Sequence, residues 1–203
     1  MSAPHGSPQR VRLFANERLE RLTLISPRTF ILAWAILLPF IAWTGWGAVS
    51  ALEGLGLVFA GLLVWTVFEY ALHRFVFHLE AKTPVLKWLV FVIHGNHHDS
   101  PNDPLRGIMP LPASLPIAGA VWAAFALLLG RTGTWLFLGF MIGYVIYDLV
   151  HFACHQWPMR GKVGAALKRH HLRHHYANTD GNYAISAVFL DVLFRSKIRS
   201  SRR

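Results

Sequence analysis

Four stretches run apolar for about the 20 residues that a bilayer-crossing helix needs: residues 29–49, 54–73, 112–130 and 134–154. A short turn, with Gly45 and Gly47 near it, joins the first pair, and Gly130, Arg131, Thr132 and Gly133 make the turn of the second. The pattern therefore predicts two helical hairpins. Pro110, Pro112 and Pro116 punctuate the start of the third stretch, where a proline ring is tolerated in a first helical turn. An unclosed structure satisfies its backbone within lipid only as helix. The expected fold class is thus all-α, an integral membrane four-helix bundle, with the polar segments around 74–111 and beyond 155 gathered as a cap at one end.

Composition strengthens this. The 203 residues are 54% hydrophobic with a mean hydropathy of +0.37, yet the formal charge is +10. Lys and Arg flank the apolar stretches rather than interleave with a soluble fold, which argues against nucleic acid as a partner. Nineteen of the 20 Lys and Arg fall on the side opposite the two short turns, Arg131 being the exception. By the positive-inside rule that side, and the cap with it, is expected to be cytoplasmic. Trp43, Trp46 and Trp135 are expected at the far interface, and Trp88 and Trp157 at the near one. Ala48-Val49-Ser50 is a loose match to a signal-peptidase site, but the basic leader before the first stretch is long for a secretory one. Residues 1–9, His5 among them, read as a polar tail. The single cysteine, Cys154, excludes an internal disulfide and a four-thiolate metal site; small apolar packing is its expected role.

Chemistry enters with the histidines. Ten of the 12 occur in four clusters, HRFVFH (His73, His78), HGNHH (His94, His97, His98), HFACH (His151, His155) and HLRHH (His171, His174, His175). Each sits at or just beyond the capped end of an apolar stretch. Imidazole is the commonest protein ligand of transition metals, and ten rings exceed what one ion can hold. Two ions are implied, each with about five ligands and an open position. Helical spacing lets His94, His97 and His98 converge on one point, and likewise His171, His174 and His175. His73 and His78 are five apart, so either the helix loosens there or the two reach different ions. Each half of the chain contributes a hairpin, a cluster at its return and an HxxHH, hence five ligands per half. His170, beside His171, is an eleventh candidate.

Two carboxylates lie within the apolar stretches, Glu69 one turn before His73 and Asp148 three residues before His151. Ionisable groups there are functional by default, and ligating histidines hand their outer N–H to an acceptor. Glu69 and Asp148 are accordingly expected to accept from the ligating rings, the alternative for Glu69 being an ion pair with Arg74.

These boxes resemble the membrane fatty acid hydroxylase superfamily, which also contains sterol desaturases and carotenoid hydroxylases, and are most similar to fatty acid 2-hydroxylases of sphingolipid acyl chains. The resemblance rests on FEYALHRFVFHL, HGNHHDSPND, PLPASLPIAG, YDLVHFACH, and LKRHHLRHHYAN with NYAIS and Asp191. It implies that the ten clustered histidines hold two irons (zinc in some purified samples), and that residues 29–203 form the hydroxylase-like domain after a basic cytoplasmic segment, 1–28. It implies an oxygen-dependent hydroxylation at C2 of a membrane lipid's acyl chain. With no haem-binding domain in these 203 residues, it also implies a separate electron donor of the cytochrome b5 or ferredoxin kind. Asp191 is a further candidate site residue. The chain departs from the family pattern after the last box, with Tyr183-Ala184-Ile185-Ser186 and Leu190-Asp191 where a Phe-Gly pair and a Trp-Asp pair are usual. Rival readings are a hydroxylase or desaturase of a carotenoid, sterol or lipid head group, a metal carrier, and a structural metal protein.

Overall fold

Ser26 accepts from the amide of Thr29 (3.1 Å) and Pro27 supplies the first turn of a helix that runs to Thr44. Ser50 and Glu53 close a reciprocal capping box at the head of the next long helix. The computed structural model describes residues 10–199, and among these every regular element is helical. The elements are α1 (Glu17–Leu22), α2 (Pro27–Thr44), α3 (Ala51–Ala71), α4 (Pro84–Val90), α5 (Asn96–Asp99), α6 (Leu111–Leu129), α7 (Gly133–Gln156), α8 (Lys162–Tyr176) and α9 (Phe189–Leu193). Wider π-helical turns continue α3 over Leu72–Phe77 and join α4 to α5 over Phe91–Gly95. His5 lies outside the described residues.

Three stretches are long and apolar enough to cross a membrane: Pro27–Thr44, Ala51–Phe77 and Leu111–Gln156. The last contains both α6 and α7, broken at Gly130, whose φ of 61° ends α6. The helix α2 ends at Thr44, earlier than the apolar run to residue 49 suggests, because Gly45 caps it and the chain turns there. Leu32, Ile36, Leu52 and Leu127 are among many large apolar side chains left exposed, as expected of a surface that faces lipid.

Contact between α3 and α7 organises the bundle. A methyl group on Gly61 would fall 2.0 Å from the carbonyl oxygen of Leu136, and one on Gly139 would fall 2.0 Å from that of Val58. The two backbones touch through these glycines, the device by which helices associate where lipid removes the hydrophobic drive. Around them an aromatic core forms, with Trp34 and Trp65 each 5.5 Å from Tyr144 in edge-on geometry. The two hairpin turns meet at one end, where Trp135 Nε1 donates to Gly45 O and Arg131 to Trp46 O, both at 2.9 Å. The four histidine clusters collect at the other.

The N-terminal segment folds back over that end. Asn16 caps α1, and buried Glu20 accepts from the amides of Leu13 and Phe14 (both 3.0 Å) and from Arg106. Arg10 pairs with Asp103 at 2.8 Å, fixing the strap to the loop before α6.

Candidate metal centre

Ten histidines form two groups of five: His73, His78, His94, His98 and His174 in one, and His97, His151, His155, His171 and His175 in the other. Within each group one ring nitrogen per residue lies within 4.8 Å of all the others. The HxxHH triads do not converge as triads, contrary to the expectation from spacing. In each, the two rings four apart enter one group and the ring three apart enters the other, so that α5 sends His97 across and α8 sends His174 back. Three residues turn an α-helix by about 300° and four by about 400°, so the two positions flank the helix face. Two sites packed against that face divide them. Each group therefore takes four rings from one half of the chain and one from the other.

His73 and His78 enter the same group. The π-helical turn over Leu72–Phe77 resolves their spacing, since a wider turn brings residues five apart onto one face. A second π turn, Phe91–Gly95, carries His94, and Asn96 stabilises it by donating to the carbonyls of Phe91 (2.9 Å) and Val92 (2.8 Å).

The nitrogens that meet are Nε2. His94 Nε2 lies 3.1 Å from that of His73 and 3.0 Å from that of His98, while His174 Nε2 lies 3.0 Å from that of His78 and 3.2 Å from that of His98. In the second group the spacings are 3.2 Å for His97 to His175, 3.1 Å for His175 to His171 and 2.7 Å for His171 to His155. Nitrogens bound at right angles about 2.1 Å from a transition-metal ion stand about 3.0 Å apart. A single Nε2 cannot satisfy two neighbours at this distance by hydrogen bonding alone, because it carries either one proton or one lone pair. The donor set fits two metal ions. His98 and His175 stack at 4.2 Å between ring centres and place the groups side by side.

Protonation agrees. His73, His151 and His174 turn Nδ1 toward the carbonyl oxygens of Tyr183, Gly107 (3.2 Å) and Gly181 (2.8 Å). A carbonyl only accepts, so each Nδ1 carries the proton and, in the neutral ring, leaves the inward Nε2 lone pair free. Burial, then the neighbouring rings, hold His98 down to about 3; burial is also the main cause that holds His174 down to about 4. Burial likewise keeps His94, His97 and His171 well below the ordinary imidazole range, so these rings are neutral and able to coordinate.

Glu69 and Asp148 do not accept from the rings, which corrects the expectation from sequence. Both are buried, but Glu69 accepts from the amides of Ile185 and Ser186, from Ser186 Oγ and from Trp65 Nε1, and Asp148 accepts from the amide of Met109 at 3.4 Å. Arg74 donates to Tyr70 OH rather than pairing with Glu69. Each carboxylate instead holds a backbone segment whose carbonyl meets a histidine: Tyr183 O for His73 and Gly107 O for His151. His170 joins neither group. Its Nε2 lies 2.8 Å from Asp191, whose carboxyl is held below the ordinary range because hydrogen bonds from His170, Ser196 and Ala184 outweigh the opposing effect of burial. Cys154 is fully buried, as small apolar packing requires.

A cavity of about 560 Å³ opens onto both groups, with His94, His97 and His151 in its wall. Its other walls are largely apolar, from Trp65 and Phe68 on α3, Ile117 and Val121 on α6, and Met141 on α7. Leu13, Phe14, Leu19 and Leu22 of the N-terminal strap close one side. The cavity also meets the side chains of Ser114 and Tyr144, whose hydroxyls are buried.

Fold and site together define a helical, membrane-type protein built around two groups of five histidines, each able to hold a metal ion, beside a shared apolar cavity. The family model described as fatty acid hydroxylase matches residues 58–196, which takes in all ten rings. The chain belongs to the fatty acid hydroxylase family. It is 34% identical over 196 residues to a dihydroceramide fatty acyl 2-hydroxylase of Arabidopsis thaliana, covering 94% of this chain and 81% of that one. To the fatty acid 2-hydroxylase of Homo sapiens it is 37% identical over 146 residues, 70% of this chain but 39% of the human enzyme. The solved structure of full-length scs7p, in which only the hydroxylase domain is visible, superposes with a TM-score of 0.85 at 28% identity, over 93% of this chain and 72% of that one.

Proposed function

We propose that this chain hydroxylates C2 of an acyl chain carried by a membrane lipid, an N-acyl lipid of the sphingolipid type, using dioxygen and two irons. The observation that carries this reading is the apolar cavity reaching His94, His97 and His151 from between the long helices. The names of the relatives, fatty acid 2-hydroxylase and dihydroceramide fatty acyl 2-hydroxylase, supply the position of attack.

The residues assign themselves parts. His73, His78, His94, His98 and His174 would hold one ion, and His97, His151, His155, His171 and His175 the other. Once bound, the irons would supply the oxygen activation and electron transfer that an unactivated C–H bond demands. Five protein ligands at each site leave room for one more. From Phe140 to His151 the cavity follows α7 for about 16 Å, so an extended chain would lie along the helix with its carbonyl end toward the histidines. The depth at which the chain stops determines which carbon faces the histidines. The apolar walls exclude water from that carbon.

In this reading Leu111–Gln156 crosses the bilayer twice, giving two hairpins and four spans, and the excess of Lys and Arg places the histidine end in the cytoplasm. Residues 29–203 act as the hydroxylase domain. A separate cytochrome b5-like or ferredoxin protein brings the electrons. Mass spectrometry of host lipids after expression is the test: wild type adds one oxygen to the acyl fragment at C2 and His97→Ala does not. Lipids unchanged by the wild type refute the assignment, and oxygen on the head group or on a carotenoid or sterol moves the substrate elsewhere.

A further inference from the structure

Four consecutive backbone amides, from Tyr183 to Ser186, are held by two buried carboxylates. Tyr183 and Ala184 donate to Asp191, both at 2.9 Å, and Ile185 and Ser186 donate to Glu69, both at 3.0 Å. Ser196 Oγ (2.7 Å) and His170 add to Asp191, and Ser186 Oγ (2.6 Å) adds to Glu69. Just before this run, Asn182 adopts a left-handed φ of 55°, its amide bonded to Ser196 O and its side chain bridging His170 O and the amide of Ile198. Burying two carboxylates is costly unless their lone pairs are filled, and here they are filled by a segment with no regular structure of its own.

What faces the other way is the chemistry. With its amides tied to the carboxylates, the segment directs two carbonyls at ring nitrogens, Tyr183 O at His73 and Gly181 O at His174. Both rings belong to the same group of five. The other group has no equivalent. Its His151 meets Gly107 O, on a loop tied to the N-terminal strap through Arg106 with Glu20 and Thr23 and through Ile25 N to Leu105 O (3.1 Å), and to Asp148 by one 3.4 Å bond from the Met109 amide, with no run of amides gripped by buried carboxylates, while Nδ1 of His97, His155, His171 and His175 is buried without a protein partner.

We infer that Gly181–Ser186 is a positioning bracket for one metal site only, that of His73, His78, His94, His98 and His174, and that Asp191 and Glu69 set that site's affinity without touching the ion. This rests on the metal-binding reading above. Outer acceptors orient the ring, fix its tautomer and raise its basicity, and their loss costs about 10- to 100-fold in metal affinity. Asp191 and Glu69 act through the bracket, so their removal weakens one site and spares its neighbour. His170 serves as an anchor of the bracket on α8, which accounts for a histidine beside the cluster that coordinates nothing.

The test is a cobalt(II) titration of the purified full chain in detergent micelles, followed by visible absorption, with melting temperature and size-exclusion profile recorded for each variant. Wild type binds two equivalents. Asp191→Ala is expected to retain one tight equivalent and bind the other about 10- to 100-fold more weakly, and Asp191→Glu to recover part of the loss. Adding His155→Ala to Asp191→Ala then impairs both equivalents, whereas adding His78→Ala impairs no more than the one already affected. Should Asp191→Ala fail to fold, Ser186→Ala and Ser196→Ala remove one bond each from the same bracket and lead to a smaller, still one-sided loss. Two equivalents weakened alike, or both unchanged in a folded variant, overturn the bracket. No cobalt bound by the wild type refutes the metal reading instead.

Discussion

Replacing Gly139 with alanine isolates the contact that aligns α3 with α7. The added methyl would sit 2.0 Å from Val58 O and 2.7 Å from Val58 C, where ordinary contact needs well over 3 Å. Backbone cannot rotate away as a side chain can, so the helices must part by about 1 Å. Overpacking of this kind costs about 1–3 kcal/mol, opposed by the roughly 1 kcal/mol that alanine gains over glycine in a helix interior. Gly119 on α6 is the matched control, because a methyl there meets nothing within 4 Å and only the gain remains. A change of 1 kcal/mol moves a melting temperature by about 2–4 °C in a chain of this size. In detergent, Gly139→Ala should therefore melt several degrees below wild type, and Gly119→Ala level with it or up to about 4 °C above. The loss should reach the site, since α3 leads into the turn bearing His73 while α7 bears His151 and His155, and ligand sets tolerate only about 0.5 Å of misplacement. Metal content falls with Gly139→Ala and holds with Gly119→Ala. Equal melting temperatures for the two variants would refute the backbone contact.

Two further outcomes follow from the cavity and the rings. Ala118→Trp fills the cavity from α6, a helix that carries no histidine, so lipid mass spectrometry should show product down by about tenfold or more, with two ions per chain retained; full product with the cavity filled would place the substrate elsewhere. In metal-free protein the depressed ring pKa values make stability depend on pH. Unfolded histidines take protons near 6.5 while His98 and His174 resist until about 3 and 4, so stability is greatest above pH 6.5 and lost progressively as pH falls, which melting curves from pH 8 to 4 will reveal. A flat profile would mean the rings are already protonated, or exposed.

Much of the architecture was legible in the chain because lipid leaves few choices. Apolar runs of bilayer length become helices, and α3, α6 and α7 start and stop within a few residues of the apolar limits. The ten rings that meet are the ten that cluster in sequence. Their division was not legible, because whether His97 joins His94 or His151 depends on how α5 and α8 lie against α7, which spacing along one helix does not encode. The same holds for His73 and His78, where only a π turn, invisible in composition, puts both on one site. Glu69 and Asp148 stood out as buried charges, but the backbone amides they accept from lie far along the chain, 116 and 117 positions away for Glu69 and 39 for Asp148. Those amides, and the carbonyls of Gly107, Gly181 and Tyr183, have no side-chain signature at all. Asn96 and Asn182 could have been noticed, since Asn favours exposed turns and both are instead nearly fully buried beside histidines.

Everything functional rests on the two groups of rings each holding an ion. Elemental analysis of protein purified after expression in iron-supplemented medium counts those ions directly. About two transition-metal ions per chain are expected, falling to about one in either His78→Ala or His155→Ala, which belong to different groups. A folded wild-type chain carrying none, or one that both substitutions remove alike, would contradict that expectation.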